Sequence, residues 1–158
     1  MVAAATSNLA GTYELLGRLD EGLRLRQDVY SRTLKLLGKE HEETLLEANA
    51  YAVSLISLRR FEEAKSLMRK TIPVARRVLG KSHEITIRLS WTYTRAPCND
   101  PDATLDDFRE AELILEDAAR TARRVLGPAH PVTVDIDAYL RHVHETLRAR
   151  ETHSSARP

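Results

Sequence analysis

Three histidines are the residues of this chain that most suggest metal chemistry. His41, His83 and His130 recur at intervals of 42 and 47 residues, and histidine is a common zinc ligand. One histidine per unit of a helical stack would place neighbouring rings about 10 Å apart at closest, too far to share an ion with bonds of about 2 Å. His142 and His144 flank one residue, so a helix would point their rings to different sides. We therefore expect no metal site and a structural role for the three recurring histidines.

The short motifs of common catalytic sites are missing from the sequence. It contains no glycine-rich phosphate loop, no G-x-S-x-G turn and no H-E-x-x-H sequence. Cys98 is the single cysteine and stands in a polar segment without a neighbouring base. Paired acids such as Glu62 and Glu63 stand at predicted helix starts, where they complement the helix dipole. The sequence therefore predicts a protein that is not an enzyme and that needs no cofactor.

Composition and charge argue against two classes of partner. The chain has 24 basic and 23 acidic residues, so no overall field attracts nucleic acid or an anionic membrane. No apolar run approaches about 18 residues, and the first residues lack the pattern of a signal peptide. A single cysteine rules out an internal disulfide framework and fits a reducing compartment. We expect a cytoplasmic protein that binds neither nucleic acid nor membranes.

The recurring histidines close a longer phrase that marks the joints of a repeat. The phrase reads LKLLGKEH at 34–41, RRVLGKSH at 76–83 and RRVLGPAH at 123–130. Apolar residues on both sides recur at three- and four-residue steps, which predicts two antiparallel amphipathic helices per unit. We expect the glycine of each phrase to end one helix with a left-handed turn, shortly before the next helix starts. These glycines are Gly38, Gly80 and Gly127.

A longer stretch around these joints has the pattern of a known repeat. It is the run LGKEHEETLLEANAYAVSLISLRRFEEAKSLMRKTIPVARRVLGKSH, with NLAGTYELLGRLDEGLRL before it and LGPAHPVTV after it. On these residues the chain resembles the tetratricopeptide repeat (TPR) family. It matches the 42-residue variety typical of kinesin light chains and covers residues 7–146. The resemblance implies an all-α fold, a right-handed α-solenoid of antiparallel helix pairs. We expect about seven helices, in three TPR-like units plus a C-terminal capping helix.

The register of the repeat sets the expected boundaries. The first unit is expected to begin inside a repeat with a truncated first helix, because the 42-residue step places its H-x-x-T phrase before Met1. Five extra residues lengthen the third unit, in a segment with two prolines. The expected segments are unit 1 at 1–38, unit 2 at 39–80, unit 3 at 81–127 with an insertion at about 95–107, the capping helix at 128–150 and a disordered tail at 151–158.

The resemblance also implies a partner-binding groove, lined by the first helix of each unit. Asn8 and Asn49 could hydrogen-bond a peptide backbone, or they could be satisfied within the stack. Trp91 between Arg88 and Arg95 could anchor a carboxylate or an acidic peptide. Alternatively, Trp91 packs between helices and the arginines only keep their helix soluble. The groove positions are Asn8, Asn49, Val53, Arg88, Trp91, Arg95, Tyr139 and His142.

Two functions remain open at this point. In the first, the chain is a scaffold that holds a short peptide or partner helix in its groove. The resemblance implies a peptide that is acidic and contains aromatic residues, because kinesin light chains hold cargo motifs of this kind. In the second, it is an assembly segment that stacks on further repeats, or forms a homodimer through its open N-terminal repeat. We favour the first.

Overall fold

The computed structural model describes the backbone of residues 2–155 and the side chains of residues 6–153. This part of the chain contains seven helices and no strand. Each helix packs against the next one in the sequence, and the turns within a pair have three to five residues, so paired helices run antiparallel. No helix in the described range is long and apolar enough to cross a membrane. The helices are α1 (Val2–Leu15), α2 (Leu19–Leu37), α3 (Glu42–Ser57), α4 (Phe61–Val78), α5 (Glu84–Asn99), α6 (Leu105–Val125) and α7 (Pro131–Ser155).

The odd-numbered helices form the inner side of the stack. Helix α3 packs against α5, and α5 touches α7, whereas no two even-numbered helices of the described chain come as close. Because neighbouring pairs lie closer together on the odd-numbered side, the stack curves toward it. We call the surface formed by α1, α3, α5 and α7 the groove.

The buried core forms three clusters, and each cluster contains residues from more than one helix pair or from a pair and α7. Leu45, Met68, Leu115 and Ile136 come from four different helices, and each is at most 1% exposed. Small residues let the paired helices approach, as Ala52 does with no exposed surface. This interlocking burial fits a repeat protein, in which each unit completes the core of its neighbour.

The predicted joint glycines have the backbone geometry that the repeat requires. Gly38, Gly80 and Gly127 have φ values of 83°, 87° and 91°. L side chains rarely adopt such values, because their Cβ would meet the neighbouring carbonyl. The glycines therefore allow each second helix to end abruptly and the chain to turn into the next pair.

Each recurring histidine stands directly before an odd-numbered helix. His41, His83 and His130 each precede a helix, and their Nδ1 atom accepts a hydrogen bond from the backbone N–H two residues later. An imidazole therefore takes the place of the usual serine or asparagine cap and satisfies one free N–H of the helix start. The donors are Glu43 at 3.2 Å, Ile85 at 3.3 Å and Val132 at 3.3 Å.

The inserted residues of the third unit alter its helix pair less than the sequence suggests. Residues 95–99, expected within the insertion, are the last turn of α5, and Pro97 is buried inside it. The turn lengthens from residues 58–60 to residues 100–104, and α6 begins three residues before Phe108, the counterpart of Phe61. A capping box at Thr104 starts this extended helix, so the extra residues are held by local hydrogen bonds.

The expected disordered tail is the second difference. Helix α7 continues to Ser155, so residues 151–155 are helical, and residues 156–158 lie outside the described range. The extension is fastened to the stack where Arg109 of α6 pairs with Glu151 at 3.3 Å. Arg141, at the small-residue position of α7, is exposed because no further described helix packs there.

Candidate functional site

An aromatic and cationic cluster lies where α5 faces α7 in the groove. The rings of Trp91 and Tyr139 meet edge to face, with centroids 6.0 Å apart and planes at 79°. The Arg95 guanidinium carbon lies 5.5 Å from the centroid of the Trp91 ring, a cation–π distance. All three side chains are half-buried. We call these three residues the Trp91 cluster.

Two polar atoms of the Trp91 cluster have no partner within the described chain. They are the indole Nε1 of Trp91 and the guanidinium Nε of Arg95, and both atoms are buried. Buried donors are usually hydrogen-bonded, since an unmade bond costs about 1–3 kcal/mol. The cluster therefore has the donor chemistry to bind an acceptor such as a carbonyl or carboxylate.

Arg88 differs from its expected role as the second cation beside Trp91. Its Nε and Nη2 atoms both donate to Oε1 of Glu84, at 2.8 and 2.7 Å. This i, i+4 ion pair on α5 neutralises most of the charge that Arg88 would offer a ligand. Trp91 therefore lies beside one unpaired cation rather than two.

The two groove asparagines lie in different surroundings. The amide oxygen of Asn49 accepts a hydrogen bond from the Thr92 hydroxyl at 2.7 Å, which joins α3 to α5. Only its amide N–H groups stay available, so Asn49 can act as a donor but not through both amide ends. Asn8 is exposed on α1, away from the Trp91 cluster, and Val53 is half-buried on α3.

A polar network fills the groove between α1 and α3. Glu14 accepts a hydrogen bond from Ser54 and pairs with Arg26 at 3.5 Å, while Ser7 donates to Glu47 at 3.4 Å. Burial raises the pKa of Glu47 above its ordinary value, although Arg26 acts in the opposite direction. These contacts engage the carboxylates of the network, although the buried Nε atom of Arg26 has no hydrogen-bond partner within the described chain.

A cavity of about 580 Å³ adjoins the Trp91 cluster at one end of the groove. It lies between the C-terminal ends of α3 and α5 and the second half of α7. Arg95 and His142, both expected in the groove, line it together with Arg59 and Arg150, which the sequence reasoning missed. Arg59 had one usable signal, since it stands where the first unit has Gly17 at the matching turn.

Cys98 also lines this cavity, but it is not a reactive nucleophile. Burial raises the pKa of its thiol from 9.0 to about 12. The thiol is therefore almost entirely protonated near neutral pH, and thiolate is the reactive form.

Among the residues that the structure describes, one group of side chains could hold a metal ion, and it lies outside the groove. Glu112 and Glu116 of α6 face His144 of α7, with ligand atoms within 4.8 Å of one another. The His144 Nε2 atom is 3.1 Å from Glu112 and 4.0 Å from Glu116. Sequence reasoning missed this group because its members come together only when α6 and α7 pack. Its contacts are also those of an ordinary histidine and carboxylate pair.

Comparison with known structures shows the same architecture elsewhere. One crystal structure contains the nearly identical TPR-like repeats of a Podosopora anserina protein assigned as a kinesin light chain. It superposes with a TM-score of 0.79 at 20% identity and covers 89% of this chain. A second crystal structure, of a single-substitution variant of those repeats, gives a TM-score of 0.73 at 20% identity over 97% of this chain. This chain spans 64% and 70% of the two chains. Because the identity is only 20%, the likeness concerns fold alone.

The sequence itself matches a family profile. The tetratricopeptide repeat profile matches residues 2–43, 48–84 and 103–132, which together make up more than half of the chain. No curated protein matches the sequence with significance. The expected all-α stack of TPR-like helix pairs and its likeness to kinesin light chain repeats are confirmed. The chain belongs to the tetratricopeptide repeat family.

Proposed function

We propose that the groove binds a short peptide from a protein partner and that the Trp91 cluster anchors it. Tetratricopeptide repeats generally mediate protein–protein interaction. The observation that supports a site in this groove is the Trp91 cluster, which combines two half-exposed rings, one unpaired guanidinium and two unpartnered buried donors. Aromatic residues and arginine supply most of the energy at protein interfaces.

The same cluster favours acidic peptides that contain an aromatic residue. Arg95 makes no ion pair with the described residues and can receive a carboxylate, while Trp91 and Tyr139 offer ring surface to an aromatic side chain. The Asn49 amide can add a hydrogen bond to a peptide carbonyl. The proposal describes a binding protein rather than an enzyme. It locates the interaction in the cytoplasm, since one free thiol fits a reducing compartment.

The test begins with a peptide array and continues with labelled hits measured by fluorescence anisotropy. Trp91 is the only tryptophan, so its emission reports binding in the groove without a label. We expect Arg95→Gln to weaken acidic hits roughly tenfold or more, because it removes a charge-assisted hydrogen bond. Trp91→Phe keeps an aromatic ring against Tyr139 and should weaken the same peptides while the protein stays folded.

A matched control is Arg123→Gln, which removes an exposed arginine that pairs with Asp137 outside the groove. It changes the net charge as Arg95→Gln does and should leave peptide affinity unchanged. Equal loss in both variants would show a general charge effect. Hits that bind without any change in Trp91 emission would place the site elsewhere and contradict the proposal.

A second candidate is self-association through the first helix pair. Half of the exposed large apolar side chains of the described chain belong to this pair or its turn. Leu15 is 90% exposed and Leu16 is 68% exposed. Light scattering should then report twice the monomer mass, and Leu15→Ser with Leu16→Ser should return it to the monomer. A monomer at every concentration would exclude this candidate. The side chains are Leu9, Leu15, Leu16, Leu36 and Leu37.

A further inference from the structure

We propose that the cavity beside the Trp91 cluster is a binding site for a phosphoryl group. It lies at the end of the groove, and three arginines line it from three places in the chain. Arg59 follows the end of α3, Arg95 is on α5 and Arg150 is on α7. We expect this phosphoryl group to belong to a phosphorylated serine or threonine of the bound peptide, and in this respect the inference rests on the proposed function.

The charge of the cavity lining is strongly one-sided. None of the three arginines forms an ion pair with a described residue, and Asp100 is the one carboxylate that lines the cavity. An oxygen of Asp100 already accepts the backbone N–H of Asp102 at 3.0 Å. Three positive charges therefore face one negative charge, in a chain whose overall net charge is only +1.

Two of these guanidinium groups are held by aromatic rings or a backbone carbonyl rather than by a carboxylate. The guanidinium carbon of Arg95 lies 5.5 Å from the Trp91 ring centroid, and that of Arg150 lies 4.4 Å from the Phe108 ring centroid. Arg150 also donates to the carbonyl oxygen of Ala103 at 2.6 Å. A guanidinium stacked on a ring keeps donors free at its edge, so these side chains are positioned without losing their capacity for an anion.

Arg59 occupies a backbone conformation that a side chain normally avoids. Its φ is 60°, and it is the only non-glycine residue of the described chain with a positive φ. The matching turn of the first unit has Gly17, with φ 76°. A strained residue in place of glycine is a feature that clusters at binding sites. Here the replacement adds an exposed cation to the cavity.

The arrangement fits a phosphoryl group better than a single carboxylate. A carboxylate is planar, carries one negative charge and is satisfied by one bidentate arginine. A phosphoryl group carries about 1.5 to 2 negative charges near neutral pH and has three acceptor oxygens. Three guanidinium groups from separate parts of the chain line the cavity, and their positive charge exceeds the negative charge of the lining by two. This arrangement matches a phosphoryl group.

The first experiment uses inorganic phosphate as the probe. Arginine Nε–H signals are followed by ¹⁵N NMR while chloride is exchanged for phosphate at constant ionic strength. We expect the signals of Arg59, Arg95 and Arg150 to shift together, and Arg95→Gln to weaken the affinity roughly tenfold. Arg88, whose charge is neutralised by Glu84, should not respond. Equal shifts at Arg88 would show screening without a site and would overturn the inference.

Arg59→Gly is the decisive variant. It restores the residue that the first unit has at this turn, so the protein should melt no lower than the wild type. We nevertheless expect phosphate affinity to fall roughly tenfold, because one of three cations is lost. Arg60→Gly is a poor comparison, because Arg60 pairs with Glu63 at 2.6 Å. The matched control is therefore Arg120→Gln, which removes an exposed arginine of α6 that makes no ion pair with the described residues and does not line the cavity, and which should leave phosphate affinity unchanged. Unchanged affinity in Arg59→Gly would overturn the inference.

The second experiment separates this inference from the proposed function. Degenerate peptide libraries with a central phosphoserine, serine or aspartate are compared for binding and for the change in Trp91 emission. Enrichment of the phosphoserine library supports the inference. Equal binding of the phosphoserine and aspartate libraries would reduce the cavity to a general acidic site and overturn it, while the groove function stands. If no library binds but inorganic phosphate does, the phosphoryl site stands and the peptide-binding function fails.

Discussion

Replacing glycine by alanine should have opposite effects at two positions of this chain. Gly80 ends the second helix pair at φ 87°, and an added Cβ would meet no atom within 4 Å. Gly11 lies inside α1, where an added Cβ would be 3.5 Å from the Arg26 Nη2 atom, an ordinary contact. Neither substitution creates a clash, so the difference between them isolates the backbone.

The expected magnitudes follow from the two conformations. At Gly80, alanine at positive φ costs about 1–3 kcal/mol, offset by about 0.4–1 kcal/mol from the lower entropy of the unfolded chain. We expect a net loss of about 1–2 kcal/mol in the free energy of unfolding. At Gly11, alanine in a helix should add about 0.5–1 kcal/mol, because glycine is the weaker helix former.

Urea denaturation followed by circular dichroism measures both effects. For a chain of this size, about 1 kcal/mol corresponds to a melting shift of about 2–4 °C, so thermal scans give a second reading. The slope of the free energy against urea should be the same in both variants, which would show that the surface exposed on unfolding is unchanged. Equal effects at Gly80 and Gly11, or a stabilised Gly80→Ala, would refute the backbone explanation of the joints.

Two further predictions concern helix starts. We expect His83→Ala to lower the free energy of unfolding by about 1 kcal/mol in urea, while His83→Asn keeps the cap and loses little; equal losses would contradict the capping role. The hydrogen bonds from Thr104 lower the pKa of Asp107 below its ordinary value of 3.8. The capping box therefore stabilises the folded protein fully above that pH, and this contribution is lost as the pH falls through the lowered pKa. Asp107→Asn should therefore be less stable than the wild type near neutral pH, with a difference that shrinks on acidification and that urea titrations at several pH values would reveal.

Local chemistry explains why the repeat was readable from the sequence. The apolar periodicity of α4, the turn at Gly80 and the cap at His83 each depend on residues a few positions apart. A local sequence pattern is therefore sufficient to predict them. The pairing of Arg88 with Glu84 belongs to the same class, since the two are four residues apart on α5. It could have been predicted, and it would have reduced the expected cations beside Trp91 from two to one.

The sequence by itself therefore determined the helices, their pairing, their joints and the family. Only the tertiary structure decided which polar groups are satisfied and which face a ligand. Thr92 uses the oxygen of Asn49 across 43 positions. Arg59, Arg95 and Arg150 reach one cavity from three separate parts of the chain. Such contacts depend on how helices far apart in the sequence pack together. A small change in the curvature of the stack would separate these side chains, and no local sequence pattern encodes that curvature.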